Sequence, residues 1–125
     1  IFFFYKMFKR EFWDVHINDF STVKKSSLEI AAIEEKSKVI LDIQHPKQTG
    51  LTMRTIEVLG LKKKMITTNG FVKTYDFYDP DNIFVIDRGN ISLDPHFFRS
   101  EYKILNEEIY EKYSLETWIK DILLE

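Results

Sequence analysis

The chain contains no cysteine. That excludes disulfides, thiolate nucleophiles and cysteine-ligated metals, and it fits a reducing, cytoplasmic setting. No apolar run comes near the ~20 residues that a membrane-spanning helix needs. Residues 1–5 are apolar but too few, and they lack the basic leader of a secretory signal. An excess of either charge is missing as well: 18 Lys and Arg stand against 20 Asp and Glu, a formal net charge of −2. With no global field to recruit a polyanion, nucleic acid is not an expected partner. His16 and His96 have no partners at ligand spacing and no acidic cluster stands out, so no metal is expected. Internal repeats, low-complexity tracts and interdomain linkers are also lacking.

What remains is the material of one ordinary globule. At 125 residues the chain is long enough for a single domain with a real core. Aromatics make up 15%, which points to a bulky core or to exposed aromatic surface. The chain starts at Ile1 and opens directly inside an apolar segment, which predicts a fragment continued upstream. The aromatics of the first twenty residues would pack on that upstream structure or drive homodimerisation without it.

Strands are predicted at residues 2–5 and 15–17, with residues 6–13 helix or loop between them. Ser26 and Glu29 have capping-box spacing and predict a helix to about Ser37, with Leu28, Ile30, Ala31 and Ile33 facing inward. Residues 38–43 (KVILDI) read as a strand buried on both faces. A loop at 44–48, broken by Pro46, leads to a helix over 49–61 with Gly60 near its end. Residues 65–68 form the next buried strand, and Asn69-Gly70 a turn. A short helix over 71–77, a turn at 79–82, a strand at 83–86 and a loop to Pro95 follow. One or two helices over 107–124, with a break at Ser114, close the chain. This alternation predicts an α/β fold: a Rossmann-like parallel sheet with helices on both faces.

In such a sheet, ligands bind beyond the carboxyl ends of the strands. The loop at 44–48 lies there, and so do Thr68 and Asn69. A helix starting near Thr49 would aim its free amides, those of Gly50 and Leu51 among them, at the same place, a natural phosphate site. Gly50 would let a diphosphate approach the backbone closely. Thr49 and Thr52 add hydroxyls, Arg54 a permanent cation, and His45 a donor in the loop. Glu57 could accept from a ribose diol. A bland reading stands beside this one: a capped helix after a tight turn, a solvent-facing His45, and Arg54 paired with a nearby acid. Asp42 is either a strand-end catalytic group or a cap for the following loop. Lys62, Lys63 and Lys64 look like a basic patch but are read first as solvating a helix end. Asp76-Phe77-Tyr78-Asp79, which could set an aromatic against a base or sugar, is read first as core and turn packing. Glu107, Glu108, Glu111 and Glu116 read as a solvated helix face.

The stretch DIQHPKQTGLTMRTIEVLGLKKKMITTN resembles the donor-binding segment of glycosyltransferases with the two-Rossmann-domain (GT-B) architecture. More narrowly, it is similar to bacterial enzymes of lipopolysaccharide and capsular polysaccharide synthesis. The resemblance covers roughly residues 38–88, and the tail IYEKYSLETWIKDIL also looks like the family's closing helix. It implies one half of a GT-B enzyme, with residues 1–125 as a single nucleotide-sugar-binding domain. A nucleotide-sugar is then the substrate and no cofactor is required. The diphosphate would sit at the helix start and the ribose on Glu57. A saccharide or lipid-linked acceptor would belong to a missing upstream domain, with peripheral association at the inner face of the plasma membrane. Where many relatives carry a second Glu about eight residues before the ribose Glu, this chain has Thr49, which leaves the sugar contact and the stereochemical outcome open. The alternative is a non-catalytic α/β domain that binds nucleotide or phosphate, or acts as a phospho-receiver with Asp42 and Thr67 in its site.

Overall fold

A computed structural model of the chain describes residues 16, 18, 21 and 23–123. The strands expected at 2–5 and 15–17, and the helix or loop between them, fall outside those residues, His16 excepted. The chain divides into two compact units, Ile1–Ala32 and Ile33–Glu125. The second holds a mixed α/β fold.

Three short strands form its centre: β1 (Val39–Asp42), β2 (Lys64–Thr67) and β3 (Ile83–Val85). They lie parallel in the order β1-β2-β3, with Ile40 opposite Met65 and Met65 opposite Ile83. All three coincide with β-branched or apolar runs in the sequence, but β1 is not buried on both faces as expected, since Leu41 is 62% exposed. One face carries Ile40, Met65 and Ile83. It packs on Val58 and Leu59 of helix α2 (Met53–Gly60) and on Val72 and Phe77. The other face carries Ile66 and Ile86 and meets Phe97 of the short helix α3 (Pro95–Arg99). Helix α3 is too short to cover that face. Leu41 and Ile43 stay about half exposed or more, beside Ile91, Leu93 and Phe98, around an apolar concavity of roughly 640 Å³.

Several expectations need correction. Helix α2 begins at Met53, not near Thr49, because Thr52 is extended (φ −87°, ψ 158°) and its hydroxyl caps the amide of Thr55. Gly50 cannot open the helix, since its φ of +78° lies in the left-handed region. At the other end Gly60 is the last helical residue. Lys62 adopts the left-handed conformation (φ 53°), and its amide and that of Lys63 close on Leu59 and Val58 carbonyls.

Helix α1 (Ser27–Lys36) has the expected capping box. Ser26 and Glu29 exchange bonds of 2.8 and 3.3 Å. Yet it buries no residue, and Leu28 and Ile33 are exposed. Leu28 and Ile30 lie about 200° apart on the helix, so no single stripe forms. Residues 71–77 make only a 3-10 turn (Gly70–Thr74) capped by Asn69. The tail does split at Ser114, into α4 (Glu107–Lys112) and α5 (Leu115–Leu123).

The extended strap between α3 and α4 is held by side chains. Buried Asn82 grips both sides of Lys103, donating to its carbonyl at 2.7 Å and accepting from its amide at 2.8 Å. Asp79 meets the ammonium of Lys103 at 2.6 Å and accepts from the Asp81 amide at 2.9 Å. The Lys103 bond is the main cause that holds the Asp79 carboxyl below its ordinary 3.8, with the Asp81 amide adding to it against the opposing effect of burial. Asp76 is lowered in the same way by Lys112 and then Tyr113. A depressed carboxyl contributes stability above its unfolded value and loses it as pH falls through the folded one. Stability is thus expected to hold from neutral pH to about 5 and to drop between about 5 and 2. Urea unfolding at a series of pH values checks this. Asp79→Asn should flatten part of that acid limb, and an unchanged limb would remove Asp79 from the account.

Candidate functional site

The carboxyl ends of the strands meet in one hydrogen-bonded rim. From β1, the carboxylate of Asp42 turns toward α2. Its Oδ2 accepts from the hydroxyls of Thr52 at 2.7 Å and Thr55 at 3.4 Å. Asp42 is buried, and its carboxyl lies beside the amino end of α2. Asp42 does not cap the following loop as one of its two expected roles had it; its carboxylate turns to the hydroxyls at the start of α2. Thr52 spends its proton on Asp42 and its oxygen on the Thr55 amide. It fixes the helix start and has no hydroxyl proton left for a ligand. The amides of Met53 and Arg54 keep no acceptor among the described residues.

The loop after β1 closes on itself through the Gln48 amide and the His45 carbonyl, 2.9 Å apart. His45 Nδ1 accepts from the Lys47 amide at 3.2 Å, which puts the proton of a neutral ring on the exposed Nε2. Thr49 is exposed, and Leu51 packs against the core. Gly50 offers its carbonyl to Asn69 Nδ2 at 2.8 Å. Asn69 also caps the following 3-10 turn, with Oδ1 accepting from the Phe71 amide at 3.0 Å. It has no accessible surface and both ends of its amide are engaged, so it joins two loops and presents nothing to solvent.

Arg54 pairs with Glu34 and, at 3.3 Å, with Glu57. Its charge is spent on acids, as the bland reading had it. The cation that does face the rim is Arg88, three residues past the end of β3. Its Nη2 donates to the Gln44 carbonyl and, at 3.3 Å, to Thr68 Oγ1. Arg88 therefore ties the loops after all three strands together. Among the described residues it has no carboxylate partner, and the neighbouring Asp87 turns to the Gly89 amide instead. Oε1 of Gln44, beside it, is buried without a hydrogen bond. Sequence reasoning named Thr68 by the strand-end rule but did not carry that rule on to β3, where it leads to Arg88.

No protein-family model, curated protein or solved structure matches this chain. Function therefore rests on the rim's own chemistry: a guanidinium with neutral partners, two free helix amides, the Thr68 hydroxyl, an imidazole N–H and the exposed carboxylate of Glu57. Hydrogen-bond donors dominate, and Arg88 adds a cation, which suits a phosphate-bearing ligand.

Proposed function

We propose that the rim binds the diphosphate of a nucleotide-sugar, and that the chain is the donor-binding half of a glycosyltransferase with the two-Rossmann-domain plan. The observation that carries the reading is Arg88, an unneutralised guanidinium joined to the ends of all three parallel strands. Beside the amides of Met53 and Arg54, it would take up the charge that builds on the departing diphosphate. Glu57 accepts from the ribose diol, and Arg54 holds that carboxylate in place rather than touching phosphate. Thr68 and the Nε2 of His45 donate to phosphate or sugar oxygens, and Thr49 lies at the loop's exposed tip. The resemblance of residues 42–69 to donor-binding segments supplies the sugar. An acceptor-binding domain and a growing surface polysaccharide or lipopolysaccharide complete the reaction. Because donor and acceptor must be held together for transfer, the chain alone binds without turning over.

Thermal unfolding with UDP and with GDP tests this. Ligand at a hundred times its Kd adds about 2.7 kcal/mol, a rise of several degrees for a domain of this size. Arg88→Gln should abolish most of the rise, and Arg54→Gln should leave a larger part of it. If neither nucleotide raises the melting temperature at saturation, the assignment fails.

A further inference from the structure

The opposite edge of the sheet gathers cations from three distant segments. Lys36 and Lys38 flank the turn into β1, Lys62 to Lys64 lead into β2, and Arg99 ends α3. All six line one concavity of roughly 300 Å³. Pairing of Val39 with Lys64 sets the two strand starts side by side and so brings the first two groups together.

Lys64 is the unusual member. It is 4% exposed, yet every oxygen around its ammonium is neutral. The Phe97 carbonyl lies at 2.6 Å, the Ser100 carbonyl at 2.8 Å and the Ser100 hydroxyl at 2.6 Å. The Phe97 ring lies 4.4 Å away. A buried charge without a counter-ion is costly, and neutral dipoles relieve only part of that cost. Lys63 likewise meets a carbonyl, that of Glu35, at 2.7 Å. Lys62 has an exposed partner in Glu107 at 3.6 Å. Lys36, Lys38 and Arg99 have no hydrogen-bond or ion-pair partner among the described residues. Glu101 is the one carboxylate in the lining. The carboxyl ends of α1 and α2 add about half a negative charge each. Six cations outweigh these, and the concavity stays positive.

From this geometry we propose a second anion site, one that takes a small ligand with two or more negative charges of the phosphate-ester or diphosphate class. The volume lies at the small end of ligand sites. Lys36, Lys38 and Arg99 supply the free donors, and Lys64 supplies charge from the wall without direct contact. The site is separate from the rim. It stands at the amino ends of strands whose four residues span about 13 Å. Such a phosphate is carried either by a soluble molecule or by a lipid headgroup.

Calorimetric titration of the chain with inorganic pyrophosphate, at constant ionic strength, tests the site. A Kd below about 1 mM is expected at low salt, weakening as salt is raised. In an Arg88→Gln background, which removes the rim's cation, the triple variant Lys36→Gln, Lys38→Gln, Arg99→Gln should raise that Kd at least about tenfold with the melting temperature unchanged, because all three side chains are exposed. Arg88→Gln should leave pyrophosphate binding at this edge intact, which separates it from the rim. In a parallel arm, the chain is sedimented with phosphatidylcholine vesicles with and without phosphatidic acid, whose headgroup is a phosphomonoester. Capture by the anionic vesicles alone, lost in the triple variant, assigns the lipid source. Pyrophosphate binding without capture assigns the soluble one. Binding of neither probe, or binding that the triple variant retains in the Arg88→Gln background, overturns the proposal.

Discussion

Phe77→Ala is expected to cost about 3–5 kcal/mol, enough to bring a domain of ordinary stability to the edge of unfolding. The side chain has no accessible surface. Its ring stacks on Tyr75 at 5.4 Å and meets the edge of Tyr113 at 4.9 Å. Truncation therefore opens a cavity where the sheet, α2 and the first closing helix come together, and two aromatic contacts go with it. The melting temperature should fall by more than about 10 °C. Phe77→Leu fills most of the space and should cost under about 2 kcal/mol. Urea unfolding of both variants decides. A loss below about 1 kcal/mol for Phe77→Ala would mean that residues 70–78 do not pack as described.

Asn69→Ala is expected to cost about 2–4 kcal/mol, since it strands the Gly50 carbonyl and the Phe71 amide together. Its second consequence is local. The loop at 44–52 loses its tie to the end of β2, so the rise in melting temperature given by a nucleotide should shrink even though Asn69 is out of a ligand's reach. Asn69→Asp keeps the acceptor for Phe71 and loses the donor to Gly50. It should therefore reproduce the loss at the loop while retaining the cap on the 3-10 turn. If Asn69→Ala unfolds at the same urea concentration as the parent chain, the bridge between the two loops does not exist.

The strands could be read from the sequence because each is a compact run with apolar residues on the face that meets the core. The start of α2 could not. Thr49 and Thr52 are equal candidates for its cap by local spacing, and Gly50 fits either. What decides is Asp42, ten residues earlier on another element, whose carboxylate selects the Thr52 hydroxyl. Arg54 and Glu57 stand three apart on one helix face, so half of that ion pair was visible. Glu34, the other half, belongs to a different helix. Arg88 lay within reach of the strand-end rule. The convergence of Lys36, Lys38 and Arg99 on Lys62 to Lys64 did not, because it depends on strand order and register. Helix α1 shows the reverse failure: its cap was legible, but its apolar residues were assigned a core that this helix does not enter.

Among the described residues, the order of the three strands leaves β2 alone with strand neighbours on both sides. The amides of Met65, Ile66 and Thr67 point alternately to the two neighbours, as that of Met65 does to the Asn82 carbonyl, so to free all three β2 must part from both. In deuterated buffer these few protons should be the last to be replaced, and their lifetimes should report the opening of the entire unit. Because β2 begins at the basic concavity and ends at the Arg88 rim, an anion bound at either end should lengthen the same lifetimes.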